Sequence, residues 1–596
     1  MKTGKKMNWT SQFKGFGNAV TRYPLTMLFL LMAATINAVA IQTEKEHSSQ
    51  LLACIIGAML AAVLQAAWER FFHTVRQHIL LQAVALVGAA GYYCIIYPAS
   101  ELTEEITVRT MAVLLALMFA FIWVPVIQSR YSFNESFMAA WKGFFQAILY
   151  AGVLYAGCAL ILGATDLLIF GIGTKPYLQI ANLVFVVFAP IVFFAKIPLY
   201  PGKLELEEPK ESFQEEEETV KRSVSCPRFL EILISYIVIP LTAVYTIVLL
   251  LYIILNIQRQ FWTDNLLEPL LVSYAIIVII VCILASHLTN RFAALFRLIF
   301  PKVLVPIVVF QMAASILSIS EEGVTYGKYY VILFGLFAAI AGVVMSIFSV
   351  RKNGILAATL IVLCIWSIVP PVDAFSISRN SQTALLKSTL EKNDMLKSNS
   401  ITPKDTISDE DKQKIASSVE YLSRMDYTDD IAWMPENFDI FQDFQDTFGF
   451  EEYDALQGKA ENIYVSRDTA QPVAIDGYDV MIHTLIGPEK TQDTSVKDIT
   501  YEGKTYYLDK AESKDGYVLI LRDDKKTEIL RFDTSEMFEK YTGYVTNNTA
   551  LTNDQASFVA ESENAKMLIL VQELNISADQ SQTYKYANLD VLLQFK

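Results

Sequence analysis

Apolar residues fill the first three-fifths of the chain in runs close to the ~20 residues a helix needs to cross a bilayer. Eleven runs stand out, roughly Pro24–Ile41, Leu51–Trp68, Ile79–Tyr97, Met111–Ile127, Phe144–Ile172, Leu178–Ile197, Phe229–Ile257, Leu266–Leu288, Val303–Ile319, Tyr329–Phe348 and Ile355–Pro370. They predict a polytopic α-helical membrane protein of about eleven spans. The first, fourth, ninth and last runs are short for a span. The fifth is long enough to tilt or to begin outside the bilayer.

After Pro370-Pro371 the pattern changes. Leu385, Leu386, Leu390, Met395 and Leu396 recur at roughly helical spacing and predict a stalk. Ser408 followed by Asp411 resembles a capping box, with Ile415, Val419 and Leu422 as the apolar face behind it. Phe438, Phe441, Phe444 and Phe448 form a further helical stripe within Glu436–Phe448, with Asp439, Asp443 and Asp446 opposite. From Asn462 onward the runs are short and β-like, punctuated by Asp476-Gly477, Glu502-Gly503 and Asp515-Gly516. Tyr501 to Leu508 reads as a hairpin. The expected organisation is a cytoplasmic tail at 1–23, spans 1–6 at 24–197, an acidic cytoplasmic loop at 198–228 and spans 7–11 at 229–371. A helical stalk follows at 372–450, then a mainly β domain at 451–596, making the C-terminal part an extracytoplasmic α+β domain.

Charge gives the layout a direction. The chain is 53% hydrophobic and 18% charged, with a net charge of −14. Soluble chains carry about 25% charged residues. Residues 1–372 hold 25 Lys+Arg against 21 Asp+Glu, and residues 373–596 hold 23 against 41. Loops on the N-terminal side of the spans carry 20 Lys and Arg and the opposite loops carry five, Lys45, Arg109, Lys175, Arg259 and Lys328. Cytoplasmic loops attract Lys and Arg, so the N-terminus is expected inside and the C-terminal part outside. The six cysteines all precede residue 373, which excludes a disulfide-stapled scaffold and fits an exposed C-terminal part. Ala38-Val39-Ala40 after a basic N-terminus has the look of a signal-peptide cleavage site, but the long N-region favours a retained first span. The acidity leaves no basic face for nucleic acid. The block Glu215-Glu216-Glu217-Glu218 reads as a solvated linker.

Recognisable catalytic chemistry is sparse. The five histidines, His47, His73, His78, His287 and His483, form no HExxH pattern, and neither GxxxxGK[ST] nor GxSxG occurs. No catalytic residue, metal site or cofactor is expected. His483 in an apolar strand reads as packed or surface-exposed rather than catalytic. The aspartates at 439, 443 and 446 read as a solvated helix face rather than a calcium site. Polar groups inside spans are costly and draw attention. Asp166, Asn182, Asn256 and Glu268 fall in the outer half of the spans and are the candidate substrate-binding residues, a polar vestibule; the plainer reading has each at a wet interface or paired with a neighbouring helix. Pro190, Pro240 and Pro306 interrupt spans. Gly152 with Ala156, and Gly335 with Ala339, would permit close helix packing.

Arg22-Tyr23-Pro24-Leu25-Thr26 after a basic N-terminus, Ser376-Ile377-Ser378-Arg379-Asn380-Ser381-Gln382 at the exit from the last span, and Tyr421-Leu422 in the following helix resemble the bacterial membrane proteins that carry domain of unknown function 4153. The resemblance implies a bacterial cytoplasmic-membrane location and supplies no catalytic residue. Two functional classes follow. One is an envelope sensor or assembly factor whose outer domain binds an envelope protein or cell-wall polymer. The other is a transporter or lipid-handling protein that uses the polar groups of the outer half. An enzyme is the least supported class.

Overall fold

The computed structural model describes residues 9–72, 74–97, 102–200, 211–256, 267–397, 399–435, 437–452, 463–468, 470–487, 495–513, 516–541, 549–579 and 582–596. The chain divides into two compact units, residues 1–449 and 450–596.

The first unit is a helical bundle. It comprises α1 (Trp9–Arg22), α2 (Pro24–Thr43), α3 (Ser48–Phe71), α4 (Val75–Ile96), α5 (Glu104–Trp123), α6 (Phe133–Leu168), α7 (Lys175–Asn182), α8 (Ala189–Lys196), α9 (Glu211–Val224), α10 (Arg228–Ile232), α11 (Ile239–Asn256), α12 (Leu267–Leu284), α13 (Arg291–Glu322), α14 (Tyr326–Ile347) and α15 (Gly354–Trp366). Nine helical stretches among the described residues are long and apolar enough to cross a membrane. Two of the eleven expected runs fall short of that length: the apolar part of α12 covers Glu268–Leu284, and α15 has 13 residues. The runs at Pro24, Met111 and Val303 belong to longer helices than their apolar cores suggest, because Thr, Glu and Arg residues extend each helix beyond the apolar window. The 36-residue α6 starts at Phe133, where Ser132 and Glu135 form a reciprocal capping box. At 1.5 Å per residue it is about 54 Å long, well beyond the ~30 Å hydrocarbon layer. Ala38-Val39-Ala40 lies inside the continuous α2.

Two spans carry the same break. Leu183–Phe188 is π-helical between α7 and α8, and Leu233–Val238 is π-helical between α10 and α11. Pro190 and Pro240 each follow two residues after the π segment. Proline offers no N–H and its ring crowds the carbonyl four residues back; a widened turn accommodates both. Pro301 and Pro306 sit inside α13. Small residues act where helices touch. A Cβ on Gly335 would meet Met312 at 2.7 Å, and one on Gly57 would meet Phe29 at 2.8 Å and Ala89 at 2.9 Å. Gly152, expected in the same role, meets nothing within 4 Å.

The bundle unit continues into α16 (Ala374–Lys392), a two-residue hairpin of β1 (Leu396–Lys397) and β2 (Ser400–Ile401), α17 (Asp409–Arg424) and α18 (Ile440–Phe448). Leu386, Leu390, Met395, Ile415, Val419 and Leu422 are fully buried; each such side chain contributes about 1.5–3 kcal/mol. Ser408 caps α17 by accepting from the Asp411 backbone at 3.2 Å, but the Asp411 carboxylate does not accept from the Ser408 backbone N–H in return, so the box is only half formed. Burial raises the Asp411 carboxyl, and the bonds from Lys392, Asn393 and Ser408 overcome this and hold it below the usual carboxylate range. The expected Phe stripe of α18 is broken: Phe438, Phe444 and Phe448 are buried while Phe441 is 91% exposed. The helix begins only at Ile440, and Ile440 takes the inward position of the first turn.

The second unit holds β3 (Ile463–Arg467), β4 (Val480–Ile486), β5 (Ser495–Tyr501), β6 (Lys504–Ser513), β7 (Gly516–Arg522), β8 (Glu528–Asp533), α19 (Ser535–Tyr541), β9 (Thr549–Leu551), β10 (Ser557–Glu561), β11 (Ala565–Asp579) and β12 (Gln582–Phe595). One sheet runs β4-β12-β11-β3-β9, with β10 on the same edge of β11 as β3; the other is the meander β5-β6-β7-β8. Among the described residues only the β3/β9 pair is parallel. Glu502 and Gly503 both have positive φ, the turn chemistry of a two-residue hairpin. The two sheets share one core, built from Ile569, Val571, Leu589, Leu519 and Leu521, capped by Met537, Phe538 and Tyr541 of α19.

Candidate functional site

The four residues expected to form a vestibule have separate surroundings. Asp166 is exposed near the end of α6 and accepts from the Ile172 backbone at 2.5 Å, closing the turn that follows its helix. Asn182 is buried, donates to the Ala34 carbonyl at 2.7 Å and accepts from Asn37 at 2.9 Å, tying α7 to α2. Glu268 accepts a hydrogen bond from Ser315 of α13. Asn256 closes α11, and its side chain lies outside the described residues. Among the described residues no hydrogen bond or ion pair joins any two of the four.

A denser constellation lies where the chain leaves α15. Asp373 caps α16, accepting from the Ser376 backbone at 3.3 Å, and pairs with Arg109 of α5 at 2.6 Å. Arg109 also pairs with Glu105, one turn away, at 2.9 Å. The Asp373 side chain is fully buried. Burial raises its carboxyl, and the bonds from Ser376 and Arg109 outweigh this and hold it below the ordinary range. Tyr427 donates to Glu105 at 2.8 Å, and Tyr326 donates to Glu104 at 3.0 Å. Burial first, and the Glu105 carboxylate second, push the Tyr427 phenol far up, so it stays a donor.

Helix α16 also seals the turn between α13 and α14. Gln382 donates to the Glu322 carbonyl at 2.9 Å and the Val324 carbonyl at 3.2 Å, and Ser381 accepts from the Val324 backbone at 3.0 Å. Gly323 at φ +72° makes that turn, and a Cβ there would press on Gln382 Nε2 at 2.8 Å. Tyr421 accepts from the Tyr326 backbone at 3.1 Å and donates to Ser378 at 2.8 Å. Arg379 reaches Asp430 at 2.8 Å. Three helix ends of the bundle are thus clamped by α16 and α17. Buried polar groups must be bonded, and here the bonds join segments from 43 to 322 residues apart. Sequence reading missed the clamp. The available signals were a lone Arg109 entering an apolar run and a lone Asp373 just past two prolines.

The bundle also encloses an apolar cavity of about 600 Å³. Its wall includes Leu115, Phe121, Phe137, Trp141, Phe334 and Phe337. A second cavity of about 290 Å³ shares Leu115, Phe334, Phe337 and Leu360 with it and extends to Tyr330 and Ser367.

In the second unit His483 Nδ1 lies 2.9 Å from Asp590 Oδ1. Asp590 accepts from Gln572 at 2.5 Å, and Gln572 accepts from Arg467 at 3.0 Å. These bonds cross β4, β12, β11 and β3. Among the described residues no hydroxyl or thiol is hydrogen-bonded to the other ring nitrogen, and no group of three His, Cys, Asp or Glu side chains is placed to hold a metal.

Residues 25–400 match the family model described as a domain of unknown function, DUF4153. The chain belongs to that family. The match covers more than half of this DUF4153 protein, takes in the bundle and α16, and ends just before α17. No curated protein and no solved structure matches the chain. Ser378, Ser381 and Gln382, within the patch that carries the resemblance, are clamp residues.

Proposed function

We infer that this DUF4153 protein is an envelope sensor or assembly factor of a bacterial cytoplasmic membrane. In this reading the N-terminus is cytoplasmic, the bundle crosses the bilayer about eleven times, and residues 372–596 lie outside. The excess of Lys and Arg in alternate loops supports the orientation. The observation that carries the function is the clamp: Arg109–Asp373 and Tyr427–Glu105 attach the segment leaving the last apolar helix to α5, the Gln382 bonds attach it to the end of α13, and Tyr421 attaches it to the start of α14. An envelope protein or cell-wall polymer bound outside would bias this attachment, and the bundle would carry the change inward. A solute transporter built on Asp166, Asn182, Asn256 and Glu268 has less support, because each described side chain already serves its own local contact.

The test compares three genomic variants for growth under cell-wall-directed antibiotics: deletion of residues 450–596, Gln382→Ala with Arg379→Ala, and Asp166→Asn with Glu268→Gln. A sensor or assembly role expects the first two to share a phenotype and the third to behave as wild type. A defect confined to the third variant would overturn it.

A further inference from the structure

We propose that Met481 and His483 of β4 form a two-ligand site for a soft monovalent metal ion, copper(I), and that Asp590, Gln572 and Arg467 hold the imidazole in its ligating tautomer. Residues alternate along β4: Ile482, Thr484 and Ile486 are buried, and Met481, His483 and Leu485 face outward. Met481 and the His483 side chain are both more than half exposed. Two positions along a strand span about 6.6 Å, so a thioether and an imidazole on one face can close on a single ion. Leu592 lies opposite Met481 on β12, is 1% exposed and gives the pair an apolar floor. The site belongs to the second unit and does not depend on the sensor reading of the clamp.

The relay behind His483 fixes which nitrogen is free. Arg467 Nη1 donates to the Gln471 carbonyl at 2.9 Å and to Asn553 Oδ1 at 3.1 Å, and its Nε donates to Gln572 Oε1. That last bond orients the amide, so Gln572 presents Nε2 to Asp590 Oδ2. The β11/β12 register shifts between Val571 and Glu573, a β-bulge at Gln572, and bulges re-aim side chains. The mostly buried Asp590 then meets His483 Nδ1 with Oδ1. A carboxylate only accepts, so Nδ1 holds the hydrogen and Nε2 keeps its lone pair. Among the described residues Nε2 makes no hydrogen bond. Metal-bound histidines give their other nitrogen to a carboxylate in this way. The donor set selects the ion. Both Asp590 oxygens are committed, and among the described residues no three His, Cys, Asp or Glu side chains converge. Calcium, magnesium and zinc therefore lack the ligands they need. Thioether and imidazole suit copper(I), which is satisfied by two ligands.

The test titrates copper(I), without oxygen and against the chelator bathocuproine disulfonate, into the full-length protein in detergent with its thiols blocked by N-ethylmaleimide. The expected result is one ion per chain, with one sulfur and one nitrogen neighbour in the X-ray absorption spectrum and no displacement by equimolar zinc(II). Met481→Leu, an exposed change of similar volume, should remove the site and leave the melting temperature of the metal-free protein where it was. Asp590→Asn tests the relay. Gln572 can only donate to position 590, so the introduced amide turns its carbonyl to Gln572 and its NH2 to His483 Nδ1. The imidazole hydrogen then moves to Nε2, and copper(I) affinity should fall about 10–100-fold, the usual effect of losing such an outer partner. Binding that survives Met481→Leu, displacement by zinc(II), a coordination sphere of sulfur alone, or wild-type affinity in Asp590→Asn would each overturn the proposal.

Discussion

Arg109 and Asp373 are 264 residues apart in the chain and 2.6 Å apart in space. One stands near the start of α5, and the other caps the first helix after the bundle. Their pairing decides whether α16 begins on the bundle or drifts from it.

Removing the cation while leaving the buried carboxylate should therefore be severe. Arg109→Met strands Asp373 without its partner and should cost about 3–5 kcal/mol. Asp373→Asn keeps a cap acceptor and should cost less, about 1–2 kcal/mol. The double variant should be more stable than Arg109→Met alone. Unfolding of the detergent-solubilised protein, followed by the accessibility of its buried cysteines, gives the order; a double variant no better than Arg109→Met would remove the coupling.

Gly449 ends α18 at φ +86°, with the position of a Cβ only 2.6 Å from the Lys404 backbone nitrogen. The left-handed conformation alone costs a non-glycine residue roughly 1–2 kcal/mol, and backbone cannot swing aside as a side chain can. Gly449→Ala should thus loosen residues 393–449 by at least ~2 kcal/mol. Phe441→Ser, at a fully outward position of the same helix, should change stability by under about 0.5 kcal/mol. Limited proteolysis of membranes separates the two.

The Lys392–Asp411 pair predicts a pH profile. Asp411 is held below the ordinary Asp value of 3.8, so its contribution is present above that value and is lost as pH falls through the folded one. Lys392 is raised above 10.5 by its bond to Asp411, so its contribution is complete below 10.5 and fades at higher pH. Hydrogen-exchange protection across 385–425, taken relative to the intrinsic exchange rate at each pH, should be greatest between these limits and fall below about pH 4. Asp411→Asn should flatten the acid limb, and an unchanged limb would exclude this pair as its source.

Orientation has a direct assay. Phe441→Cys, at a site 91% exposed, should react with a membrane-impermeant maleimide on intact cells. Lys221→Cys in α9, whose side chain is 65% exposed, should react only after permeabilisation. The reverse pattern would invert the proposed topology.

The hydrophobic pattern made most of the bundle legible, because lipid-facing and core-facing positions alike are apolar and the helix ends are marked by charge. It also made the hairpin at Glu502-Gly503 legible, since that turn needs positive φ at both residues. It failed where a position depends on a distant partner. Phe441 looked like core until Ile440 was seen to occupy the inward site. Asp166, Asn182 and Glu268 looked like a group because each is polar in an apolar run, yet each bonds a different neighbour. Arg109, Glu105 and Asp373 form the real cluster, and no spacing rule connects residues 264 apart.

The family match stops at residue 400, between the two clamping helices. Gln382 and Ser378 lie within it, and Tyr421 and Tyr427 beyond it. The bundle side of the clamp presents backbone groups at Glu322, Val324 and Tyr326 to α16 and α17, and backbone groups do not depend on side-chain identity. The bundle is therefore a socket whose rim combines these backbone groups with the Arg109 and Glu105 side chains of α5. A different C-terminal plug could seat on it by supplying one amide, one hydroxyl and one carboxylate at the right places.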